Sequence, residues 1–126
     1  MRTLDSLVPF VHVTDIHRSI AFYQKLGFKV CNSYAPEEGG GELVWVWIRS
    51  GHADLMLGLA EEPVVASHQA VLFYMYVKED LEGIRSQLKE LGESPGPIEH
   101  PFYLPRGEFR LTDPDGYIVM VAEDDH

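Results

Sequence analysis

One cysteine, Cys31, is all the chain has, so an internal disulfide and an all-protein cysteine metal site are both excluded. Basic residues are also scarce: 10 Lys plus Arg stand against 20 Asp plus Glu, a formal charge of −10. Nucleic acid and anionic membrane both need a positive surface, so neither is expected as a partner. The same charge attracts a cationic or polar small ligand, and it also serves plain solubility. Long apolar runs are missing. Leu43 to Ile48 and Ala70 to Val77 fall far below the ~20 residues that cross a bilayer. Met1-Arg2-Thr3-Leu4-Asp5 lacks the apolar core of a signal peptide. A cytoplasmic location is the expectation.

What is present reads as two similar halves. Leu7 to Val13 is an apolar run of strand length, followed by Asp15 as a helix cap, then Ile16, Ile20, Tyr23 and Leu26 at helical spacing, and Gly27 as the stop. Val71 to Val77 repeats the strand, Asp80 repeats the cap, Leu81, Ile84, Leu88 and Leu91 repeat the stripe, and Gly92 repeats the stop. Capping Asp and closing Gly lie 12 positions apart in both halves. Val13 and Val77 are each followed 43 residues later by a methionine, Met56 and Met120. Each is preceded by five residues by an apolar residue, Val8 and Leu72. Two equal intervals argue for duplication.

Further extended segments follow each helix. Phe28 to Ser33, Glu42 to Arg49 and Ala53 to Leu59 complete the first half; a Pro- and Gly-rich loop (Ser94 to Pro101), Gly107 to Thr112 and Tyr117 to Glu123 complete the second. Asp113-Pro114-Asp115-Gly116 suits a tight turn. The fold class is therefore α+β: two tandem βαβββ modules, about residues 5–60 and 70–123, joined by a linker at about 61–69, within one domain spanning 1–126.

These segments resemble the vicinal oxygen chelate superfamily, which includes glyoxalase I, fosfomycin-resistance proteins, extradiol dioxygenases and bleomycin-resistance proteins. The resemblance is carried by Val11 to Tyr23, by Leu26-Gly27-Phe28 and by Gly107-Glu108-Phe109-Arg110-Leu111-Thr112-Asp113-Pro114-Asp115-Gly116. It implies a curved mixed sheet that forms a cleft, with helices on the outer face and the cleft often shared in a homodimer. It also implies that the positions of the family's four metal ligands fall here on Val8, Met56, Leu72 and Met120. Hydrocarbon and thioether groups do not suit a hard or borderline divalent cation, so no metal and no cofactor is expected.

Strand alternation then indicates what lines the cleft. Phe10 and His12 are in step with Val8, Tyr74 and Tyr76 with Leu72, Asp54 and Gly58 with Met56, and Ile118 and Ala122 with Met120. Glu108 and Arg110 share a face, which leaves Phe109 and Leu111 for the core. The candidate ligand-binding residues are Phe10, His12, Trp45, Trp47, Met56, Tyr74, Tyr76, Glu108, Arg110 and Met120, together with Tyr103, whose segment the resemblance implies to border the cleft. His12 reads equally as a ligand contact and as a hydrogen-bonded strand residue. The tryptophans and tyrosines read as stacking platforms or as core. Asp113 and Asp115 read as turn chemistry, Cys31 as a small strand residue and Asp124-Asp125-His126 as a tail.

The expected function is metal-free binding of a cationic or aromatic drug or metabolite, as in bleomycin-resistance proteins. No residue is assigned a catalytic role. The alternative is a metal-dependent lyase, isomerase or dioxygenase whose displaced ligands would be His12, Asp54, Glu108 and His100.

Overall fold

In a computed structural model the chain divides into two compact units, Met1–Val64 and Val65–His126. The structure describes residues 2–68 and 70–124. Gln69 at the end of the expected linker and Asp125-His126 of the tail lie outside the described residues.

The first unit runs β1 (Phe10–Val13), α1 (Ile16–Gln24), β2 (Lys29–Tyr34), β3 (Trp45–Ser50) and β4 (Ala53–Leu59). Its sheet has the order β1-β4-β3-β2, with β1 and β4 parallel and the other pairs antiparallel. Asp15 caps α1, its carboxylate accepting from the Arg18 N–H at 3.1 Å. Gly27, at φ +85°, closes the segment as glycine can and a residue with Cβ resists. β1 is shorter than the apolar run that suggested it, starting at Phe10 rather than Leu7. Pro9 has no N–H to donate, although its carbonyl still accepts from Met56 N at 2.9 Å. β3 likewise starts at Trp45 rather than Glu42.

The second unit runs β5 (Leu72–Val77), α2 (Leu81–Glu90), β6 (Glu108–Thr112) and β7 (Ile118–Glu123), in a sheet of order β5-β7-β6. Here the expectation of three strands after the helix is corrected. The segment that would pair outside β6 forms only a bridge between Glu99 and Glu108, with Gly96 N reaching Arg110 O at 2.8 Å. Pro95, Pro97 and Pro101 remove the donors that a longer ladder needs. Asp80 caps α2 through Gly83 N at 3.2 Å and does so from φ +63°, a left-handed conformation that Asp tolerates better than most residues. The Asp113 carboxylate accepts from Asp115 N and Tyr117 N, both at 2.9 Å, as the turn reading required.

Each helix packs on one face of its sheet. Val46, Ile48, Leu55 and Leu57 turn inward with Ile16, Phe22 and Tyr23 of α1. Phe109, Leu111, Val119 and Val121 form the equivalent layer with Leu81 and Leu88 of α2. Leu91, expected in that stripe, is exposed because it caps the helix. Ser19 on α1 is fully buried, and its hydroxyl finds no hydrogen-bond partner among the described residues. A buried hydroxyl left unpaired costs on the order of 1–3 kcal/mol. Ser19→Ala removes that cost and adds helix propensity, so it raises the midpoint of thermal unfolding by roughly 3–5 °C. A lower midpoint in a thermal melt contradicts this reading.

Candidate functional site

A strand presents alternate side chains to opposite faces, so the face away from each helix is fixed once the core is known. In the first unit the register places Phe10, Met56, Trp47 and Asn32 in one row across the sheet, and His12, Gly58, Trp45 and Tyr34 in the next. The ring of Phe10 lies over Gly58, where a Cβ would come within 2.5 Å of Phe10 Cζ. Its edge meets His12 at a centroid distance of 5.2 Å. Phe10 is 49% and Tyr34 59% exposed, so this is an aromatic surface open to solvent.

A third row holds Asp54, Arg49 and Lys29. Asp54 Oδ1 accepts from Trp47 Nε1 at 2.8 Å and from Arg49 Nε at 2.7 Å. The Arg49 guanidinium sits 5.9 Å from the Trp47 ring centroid. The Trp47 hydrogen bond foremost, then the Arg49 one, holds the Asp54 carboxyl below the usual carboxylate range. The guanidinium is held above its ordinary value by the same Asp54 bond. Trp47 is thereby fixed in orientation rather than left to rotate.

In the second unit the corresponding rows are Tyr74, Met120 and Arg110, then Tyr76, Ala122 and Glu108, then Leu72, Ile118 and Thr112. Tyr74 and Tyr76 stack at 6.2 Å with planes 28° apart. Tyr74 Oη donates to Glu108 Oε1 at 3.3 Å. Its hydroxyl is pushed up to about 12, first by a hydrogen bond with Tyr103, then by burial, then by the nearby Glu108 charge. Glu108 is only 6% exposed. Among the described residues no Lys, Arg or His pairs with it, and Tyr74 is its one side-chain partner. Arg110, two residues along the same face, is exposed.

The structure therefore places Phe10, His12, Trp45, Trp47 and Met56 together on one open face, and Tyr74, Tyr76, Tyr103, Glu108, Arg110 and Met120 together on the other unit. Tyr103 belongs to a loop fixed by the bond between His100 Nδ1 and Pro105 O at 2.9 Å. Sequence reasoning missed Tyr34, Asn32, Arg49 and Lys29. A bulge between Val30 and Asn32 shifts the alternation of β2 and turns Asn32 and Tyr34 to the open face. Cys31 sits at that bulge, exposed, with Sγ 3.3 Å from Trp47 O. A separate hollow at the start of α2 is lined by Asp80, Glu82, His100, Arg106 and Glu123. Its polar groups serve the fold: Asp80 caps the helix, and Glu123 Oε1 accepts from Leu81 N at 3.3 Å.

Met56 and Met120 occupy the central strands of the two open faces, beside Phe10 and Tyr74 respectively. With Val8 and Leu72 they offer thioethers and hydrocarbon, a donor set that does not fit a divalent metal. No group of three His, Cys, Asp or Glu residues able to hold an ion occurs among the described residues. No described helix is long and apolar enough to cross a membrane.

The family model described as "Glyoxalase/Bleomycin resistance protein/Dioxygenase superfamily" matches residues 3–121. No curated protein matches the chain. Among solved structures, a bleomycin resistance determinant encoded on the transposon Tn5 is 19% identical with a TM-score of 0.74, the match covering 98% of this chain and 100% of that one. A bleomycin-binding protein from Streptomyces verticillus, solved with copper(II)-bleomycin, is 18% identical with a TM-score of 0.73, covering 99% and 100%. A lactoylglutathione lyase from Agrobacterium tumefaciens is 20% identical with a TM-score of 0.67, covering 97% and 96%. These likenesses confirm the α+β fold.

The Asp54 latch gives a pH signature. A depressed folded-state carboxyl contributes stability above its unfolded value near 3.8 and loses it as pH falls through the lower folded value. The difference in melting midpoint between the native chain and Asp54→Asn should stay level from about pH 7 to 5 and shrink at lower pH. A difference that grows as pH falls below that range contradicts the latch.

Proposed function

Because the chain belongs to the Glyoxalase/Bleomycin resistance protein/Dioxygenase superfamily, we propose that it is a small-molecule binder that holds a flat, cationic organic ligand without making or breaking bonds. The observation that carries this reading is Glu108. A carboxylate that is 6% exposed, with the Tyr74 hydroxyl as its one side-chain partner among the described residues, has acceptor capacity left for a ligand. A ligand cation pairs with it there. Tyr74, Tyr76 and Tyr103 surround it with ring faces and hydroxyls that suit a planar or quaternary cation.

The open face of the first unit is a second aromatic surface in its own right. Phe10, Trp45, Trp47 and Met56 form a surface for a flat ring, with His12 as a hydrogen-bonding edge. The acidic surface of the chain raises the local concentration of such a ligand. Binding needs no metal, because Val8, Met56, Leu72 and Met120 stand where metal-dependent relatives carry ligands. In this reading the chain is one working domain that sequesters a drug or metabolite in a cytoplasmic homodimer whose subunits share the ligand, as in bleomycin resistance.

A thermal-shift panel of metal-free bleomycin, benzyltrimethylammonium and neutral benzyl alcohol tests it. At roughly 100 times its dissociation constant, a bound cation adds about 2.7 kcal/mol of stability, whereas benzyl alcohol adds little. Glu108→Gln keeps the shape and removes the charge, and it weakens cation binding roughly tenfold. Equal response of the native chain and Glu108→Gln, or no response to either cation, overturns the proposal.

A further inference from the structure

The open face of the first unit carries a second feature of opposite charge that cation binding at Glu108 does not use. Arg49 is committed to Asp54 only through Nε. Its two terminal amino groups have no partner among the described residues, and half of the side chain, 51%, is exposed. Across the β2–β3 ladder Lys29 stands directly opposite Arg49, and Asn32 directly opposite Trp47. Two of the chain's 10 Lys and Arg residues thus meet on one row, next to the row of Trp47. Asp54 offsets one of the two positive charges, so the corner keeps a net positive charge on an otherwise acidic molecule.

The geometry is that of an oxyanion receptor next to a stacking platform. The Asp54 bond holds the guanidinium in place near the Trp47 ring, at 5.9 Å, so little side-chain freedom remains to be lost on binding. A planar fork of N–H donors matches a carboxylate better than it matches any neutral group. A ring joined to that carboxylate lies along Trp47, where the neighbouring Met56 adds a polarisable thioether. We infer that the Arg49–Lys29 corner of this sheet is a binding subsite for an aromatic carboxylate, held by the guanidinium fork and stacked on Trp47. This inference rests on the first unit alone and is independent of Glu108.

Both tryptophans of the chain lie on this face, so their fluorescence reports on it directly. Titration of the full chain with benzoate should quench or shift the emission saturably. Benzamide, which has the same shape without the charge, should bind roughly tenfold more weakly. Arg49→Gln should lose benzoate binding by a similar factor. Lys29→Gln leaves the Asp54 latch intact and should weaken benzoate roughly twofold to threefold, as expected for an exposed charge acting at a short distance. That variant keeps the test decisive if Arg49→Gln fails to fold. Absence of saturable quenching by benzoate, equal affinity for benzamide, or native affinity in both variants overturns the inference. If benzoate fails while benzyltrimethylammonium still stabilises the chain, the anion subsite falls and the Glu108 reading stands. If benzoate binds and the cation does not, the opposite holds.

Discussion

A helix laid on a β-sheet covers one face, and everything functional in this chain follows from what is left on the other. The inner layer is conventional: Val46, Ile48, Leu55 and Leu57 in one unit and Phe109, Leu111, Val119 and Val121 in the other are at most 2% exposed. Their neighbours in sequence must point the opposite way. Those neighbours are tryptophan, tyrosine, phenylalanine, methionine and a few charged groups, a set that neither solubility nor core packing explains. Exposed aromatic surface of this kind is the ground of the proposed ligand binding.

The two units put the same scaffold to different chemical use. Registers across the sheets make the Phe10, Met56 and Trp47 row equivalent to Tyr74, Met120 and Arg110. They make the His12, Gly58 and Trp45 row equivalent to Tyr76, Ala122 and Glu108. At one position, then, an indole in the first unit is answered by a carboxylate in the second. The first unit offers apolar area and an Arg–Lys corner, while the second offers hydroxyls and a carboxylate. Methionine stands on the central strand of both, Met56 beside Phe10 and Met120 beside Tyr74. Glu108 is nearly buried, with the Tyr74 hydroxyl as its side-chain hydrogen-bond partner.

Much of this was legible in the sequence because duplication leaves equal intervals and because alternation sorts a strand into two faces. Capping Asp15 and Asp80, closing Gly27 and Gly92, the Asp113 turn and the inward Phe109 and Leu111 all stand where local chemistry put them. What was not legible came from features that alternation cannot register. The bulge at Cys31 moves Asn32 and Tyr34 to the open face. The prolines of residues 95–101 reduce an expected strand to a single bridge. The Trp47–Asp54–Arg49 latch depends on which side chains meet across β3 and β4, and a linear pattern shows only that they share a face.

The proposed function is recognition of an organic cation through Glu108 and the rings beside it, with no metal taking part. Isothermal titration of benzyltrimethylammonium into the chain, before and after exhaustive treatment with EDTA, measures it most directly. The account predicts the same affinity and a stoichiometry per chain that does not change on chelation. Loss of binding on chelation, restored by adding back a divalent metal, would contradict it.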